Sequence, residues 1–113
     1  MKIIAVDFDG CIVADRYPDI GKAIPETINN LKAERRNNTK LILWTCRRDE
    51  QLAAAAEYCK SIGLEFDAVN ENLPELIDQF GGDTRKIYAD EYWDDKAVKM
   101  PCAAEQKRSG DAE

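Results

Sequence analysis

The chain has 113 residues, of which 44% are hydrophobic and 34% charged, with a net charge of −6 and no histidine. That is the size of one domain with a real core, and its acidity argues against extended nucleic-acid binding, which needs a basic surplus. The lack of histidine excludes Ser-His-Asp and Cys-His catalysis and histidine-ligated zinc, so any catalysis must rest on carboxylates, lysine, hydroxyls or a hard metal ion.

Residues 2–7, KIIAVD, are apolar and rich in β-branched side chains. This is the pattern of a strand buried on both faces of a parallel sheet. The run is far too short for a signal peptide, and no stretch approaches a membrane span. Residues 10–22 read as a loop. Pro25 opens a helix at its first turn, where a missing N–H costs nothing. Ile24, Ile28 and Leu31 recur at helical spacing, and Asn37 and Asn38 suit the stop. KLILWT, 40–45, is a second buried strand. A helix over 50–62 carries four consecutive alanines and stops at Gly63. EFDAV, 65–69, reads as a third strand. Residues 73–80 read as a short helix, with Pro74 in its first turn and Gly81-Gly82 behind it. KIYADEYW, 86–93, reads as a fourth strand. Residues 102–113 are polar, and a disordered tail is expected there. Cys11, Cys46, Cys59 and Cys102 form no CxxC pair and read as reduced thiols of a cytoplasmic protein.

Strands alternating with helices predict one α/β domain over residues 1–101, a three-layer α/β/α sandwich around a parallel, Rossmann-like sheet. Ligands bind such sheets outside the carboxyl ends of the strands. The first strand ends in Asp7, Phe8, Asp9 and Gly10, the second in Thr45, Cys46 and Arg47, and the third in Asn70, Glu71 and Asn72. The fourth carries Asp90 and ends in Asp94 and Asp95. Singly, each has an ordinary explanation as a cap, a turn former or a solvated side chain. Asn72 is expected to cap the next helix, and Trp44, Tyr88 and Trp93 to lie in the core or sheet. Together, the carboxylates repel one another and cost desolvation energy, which a fold tolerates mainly when a cation sits among them. Oxygen-only ligands favour Mg²⁺.

DFDG, 7–10, resembles the first motif of the haloacid dehalogenase superfamily of phosphohydrolases, DxDG followed by Thr or Val. The threonine ending LILWT is similar to the second motif. Lys86, followed by YWDD, resembles the third and fourth, and all four stand in the family's order. LILWTCR, LEFDAVNENLPE and KIYADEYWDD look like small, capless members from bacteria and phages. The likeness covers residues 1–100. Cys11 stands where the family has Thr or Val.

The resemblance implies a Mg²⁺-dependent phosphate monoester phosphatase working through an aspartyl-phosphate on a phosphorylated small molecule. Asp7 would be the nucleophile and Asp9 the general acid, then base. Gly10 would turn the chain without crowding the phosphate. Thr45 would hydrogen-bond the phosphoryl group, and Lys86 would neutralise charge. Mg²⁺ would be held by Asp7, the backbone carbonyl of Asp9 and Asp94, with positions 7, 9 and 94 converging on the ion. Asp95 fits beside Asp94, although the alignment also allows Asp90 as its companion. Arg47 reads equally as a contact to the substrate anion or as a surface arginine. Neither inter-motif segment has room for a cap domain. The expected site is therefore open, taking a large substrate or closed by another copy in a homo-oligomer. Two rivals are a phospho-accepting signalling module and a non-catalytic binding protein of the same fold. The signalling module fits poorly, because its acceptor aspartate ends a middle strand, whereas the middle strands here end in Thr45 and Asn70.

Overall fold

The computed structural model describes residues 1–101; the expected tail and Cys102 lie outside the described residues. Strand β1 is Ile3–Val6, fully buried along its length. A hairpin follows, β2 at Val13–Arg16 and β3 at Asp19–Ala23. Then come helix α1 (Pro25–Arg36), strand β4 (Lys40–Leu43), helix α2 (Asp49–Ser61), strand β5 (Ala68–Val69), helix α3 (Pro74–Phe80) and strand β6 (Glu91–Trp93). No helix among the described residues is long and apolar enough to cross a membrane.

Four strands form a sheet in the order β5-β4-β1-β6, and every pairing in it is parallel. The hydrophobic reading of β1 has a simple cause: as a central strand it is covered on both faces. Ile4 and Val6 pack with Phe8, with Ile28 and Leu31 of α1, and with Ala55 and Cys59 of α2. Ile3 and Ala5, on the other face, pack with Ile42, Ala68, Leu73, Leu76 of α3, Ile87 and Ala89. The strand's period of two sends alternate residues into separate apolar clusters, each large aliphatic side chain contributing about 1.5–3 kcal/mol on burial.

Register decides where chemistry can occur. Val6 lies opposite Leu43 on one side and Trp93 on the other. The Asp7 amide donates to the Trp93 carbonyl and the Trp44 amide to the Val6 carbonyl, both at 2.9 Å. The segments after β1, β4 and β6 therefore leave the sheet at one level, beside one another.

Three expectations about elements are corrected. Residues 10–22 are not a plain loop but hold most of the antiparallel hairpin of β2 and β3. Its strands are largely exposed, so no buried face marks them in the sequence. The fourth strand is short: only 91–93 pair with β1. Ile87 and Ala89 are buried in strand-like alternation, yet their segment packs against the sheet face instead of extending the ladder. Asn72 caps no helix, since α3 begins after Leu73 without a side-chain cap. Asn72 is completely buried, accepting from the Tyr88 amide at 2.7 Å and donating to Asp83 at 2.8 Å. It ties the end of β5 to the chain that leads into β6. Of the aromatics expected inside, Trp44 and Tyr88 are exposed, at 37% and 49%.

Candidate functional site

Asp7 follows the last residue of β1, and Asp94 and Asp95 follow the last residue of β6. Parallel pairing of β1 with β6 brings them together from opposite ends of the chain. Each offers a carboxylate oxygen, and these oxygens lie within 4.8 Å of one another. Asp7 accepts from the Phe8 amide at 2.8 Å. Burial pushes its carboxyl up to about 6 against that hydrogen bond, with Asp94, Asp9 and Asp95 adding repulsion. Asp90 lies at the other end of β1, accepting from the Ile3 amide at 2.7 Å. The acid accompanying Asp94 in space is thus Asp95. Gly10, at φ +88°, lies directly against the Asp95 carboxyl. Three hard oxygen donors with no nitrogen or sulfur among them suit Mg²⁺.

The carboxylate of Asp9 is not part of this triad, so of the expected positions 7, 9 and 94 only 7 and 94 bring their side chains to it. Arg47 takes it instead: Nε donates to one oxygen and Nη2 to the other, each at 2.7 Å. A role for the backbone carbonyl of Asp9 is untouched by this pairing. Arg47 itself is neither a surface arginine nor a free anion receptor. It is 1% exposed, and burying a guanidinium is tolerable only when it is paired and hydrogen-bonded throughout. Its amide donates to Thr45 Oγ1 at 3.0 Å, which fixes the threonine rotamer. The Thr45 amide donates to Asn70 Oδ1 at 2.8 Å, joining the ends of β4 and β5.

Asp7, Asp9, Thr45, Arg47 and Asp94 line one cleft of about 520 Å³. Lys86 does not line it. It lies in a different hollow with Phe80, Ile87, Tyr88 and Tyr92; Asn72 bonds to Thr84 and Tyr88 on either side of it, and the Tyr88 ring meets Phe80 of α3. The cleft's exposed cation is Lys96, whose Nζ is 3.7 Å from Asp95. Sequence reasoning passed over Lys96, although it directly follows the acid pair. It also missed Asp15 and Tyr17, which reach the cleft on the hairpin; Cys46, which the sequence placed at the end of the second strand, lines the cleft too. Burial, with the charges of Asp7, Asp94 and Asp95, pushes the thiol of Cys11 beside the triad up to about 11, which disfavours its thiolate.

No family model matches the chain, and neither does any curated protein. The solved structure of a conserved protein from Bacteroides thetaiotaomicron is similar to it, with 40% sequence identity and a TM-score of 0.76, over 96% of this chain and 90% of that one. At that identity and coverage, the chain belongs to the same family as this conserved Bacteroides thetaiotaomicron protein.

Proposed function

We propose that the chain is a Mg²⁺-dependent phosphohydrolase of the haloacid dehalogenase type, a three-layer α/β/α sandwich with no cap domain, acting on phosphate monoesters. The observation that carries this reading is the meeting of Asp7, Asp94 and Asp95 within 4.8 Å at the carboxyl end of the central strands. The ordered motifs of the sequence support it. So do the two apolar clusters, one with buried residues of α1 and α2 and the other with Leu76 of α3.

Asp7, Asp94 and Asp95 would hold the Mg²⁺. Bound there, the ion would supply positive charge to offset the repulsion between Asp7 and an anionic phosphate. An oxygen of Asp7 attacks phosphorus as the bond to the leaving oxygen breaks. Asp9, which lines the same cleft, would take up a proton from solvent, give it to that leaving oxygen and so return to the carboxylate that Arg47 holds, and would then take one from the water that hydrolyses the aspartyl-phosphate. Thr45 Oγ1 already accepts from the Arg47 amide, which leaves its hydroxyl proton for a phosphoryl oxygen. Lys96 supplies the positive charge on the substrate side that the resemblance gave to Lys86.

The test is phosphate release from a panel of monoesters with and without Mg²⁺. Turnover that needs Mg²⁺ and disappears in Asp7→Asn is expected. A single stable phosphorylation per chain, without turnover, would instead identify a phospho-accepting signalling module.

A further inference from the structure

Arg47 is the most heavily committed side chain in the described chain. A guanidinium carries five N–H groups, and here each has an acceptor. Nε and one N–H of Nη2 go to the two oxygens of Asp9, each at 2.7 Å. The other N–H of Nη2 reaches the Asp19 carbonyl at 2.7 Å. Nη1 reaches the carbonyls of Pro18 at 3.1 Å and Gln51 at 3.4 Å. The rings of Phe8 and Tyr17 lie 5.0 and 5.2 Å from its Cζ. Tyr17 and Pro18 form the turn between β2 and β3, Asp19 opens β3, and Gln51 is in the first turn of α2. A substrate anion would find no free N–H on this group. The Asp9 side chain, by contrast, is 15% exposed, so its outer edge faces the cleft while its inner edge is gripped.

We propose that Arg47 is a positioning residue: it holds the Asp9 carboxylate at two points and ties it to the hairpin turn, so that Asp9 meets the leaving oxygen in one orientation. The proposal rests on the phosphohydrolase reading and goes beyond it, because the residue acts through Asp9 and does not touch the substrate. Lysine at this position keeps the charge but has no planar fork, so it loses the two-point hold.

The experiment is kcat/KM in Mg²⁺ for monoesters whose leaving groups run from nitrophenol to simple alcohols. Proteins compared are the parent, Asp9→Asn, Arg47→Lys and Tyr17→Ala. A poor leaving group needs its proton as the bond to phosphorus breaks, whereas nitrophenolate does not. Arg47→Lys is expected to lose about 100-fold on alkyl esters and under about 10-fold on nitrophenyl phosphate, steepening the dependence as Asp9→Asn does. Adding Arg47→Lys to Asp9→Asn should cost little more. A residue needed only for folding would lower all substrates equally, and that parallel loss overturns the proposal. Tyr17→Ala removes an exposed ring beside the guanidinium and should steepen the dependence in the same direction, by less. If Arg47→Lys fails to fold, an unchanged slope in Tyr17→Ala overturns the proposal instead. A parent that releases no phosphate from any ester overturns the phosphohydrolase reading, and the role of Arg47 with it. An active parent with an unmoved slope overturns the positioning role alone.

Discussion

Gly10 and Asp95 occupy one small space: a Cβ on Gly10 would stand 2.7 Å from Cγ of Asp95. The first loop of the chain and the acid pair near its other end are therefore fitted to each other at a single residue. The φ of +88° adds a second requirement, because side chains with a Cβ are strained there. In Gly10→Ala the methyl must displace Asp95 from the triad. Mg²⁺ affinity, measured by calorimetry, should fall about 10-fold or more. Gly82→Ala is the control, since nothing lies within 4 Å of the position of its Cβ. Unchanged Mg²⁺ affinity in Gly10→Ala would mean that Asp95 is no ligand.

Asp7 should make the acid cluster destabilising when no cation is bound there. Its carboxyl lies at about 6 in the folded chain, against an ordinary 3.8, because burial and the neighbouring acids disfavour its charge. The folded state thus holds this proton more tightly than the unfolded state. Below 3.8 both states are protonated and nothing is lost; stability then declines as pH rises and carries the full penalty above about 6. Discounted for the part of the group that water reaches, the penalty is about 1–2 kcal/mol. Asp7→Asn, which can still accept from the Phe8 amide, should melt several degrees above the metal-free parent near neutral pH. The advantage should vanish in acid. Adding Mg²⁺ should raise the melting temperature of the parent and have little effect on the variant.

The sequence made the frame of this site legible and hid its wiring. Buried parallel strands announce themselves as unbroken apolar runs, so β1 and β4 stood out, along with the acids that follow β1. The hairpin had no such signal. Its strands bury little, and it contains Pro18 and Gly21, which read as loop residues. Arg47 was legible as a charge near the site but not as a buried one. Its five acceptors come from Asp9, the hairpin turn and α2, and no local pattern records contacts between separate segments. Lys86 was misleading for a related reason. Its position before the acid pair does not carry it to the cleft, because Asn72 fastens Thr84 and Tyr88, on either side of it, beside the end of β5.

The placement of the two lysines leads to a paired test. Lys96 lines the cleft and Lys86 lines another hollow. Lys96→Met should raise KM for a phosphate monoester about five-fold, the effect of about 1 kcal/mol expected for an exposed charge. Lys86→Met should leave KM unchanged. The reverse pattern would return the phosphate-facing role to Lys86 and show that its segment moves when substrate binds.

Thiol labelling reports on the cleft without any substrate in hand. Cys46 is exposed and lines the cleft. Burial pushes the thiols of Cys11 and Cys59 up to about 11 and about 12. A thiolate is the reacting species, so at pH ~8 only about one in a thousand Cys11 side chains is competent, and fewer still at Cys59. Iodoacetamide on the folded protein should therefore mark Cys46 well ahead of Cys11 and Cys59, as read by peptide mass mapping, and urea should remove the difference. A bulky maleimide at Cys46 should block phosphate release, and inorganic phosphate with Mg²⁺ should slow its attachment. If labelled protein turns over as fast as unlabelled, the substrate does not enter by this cleft.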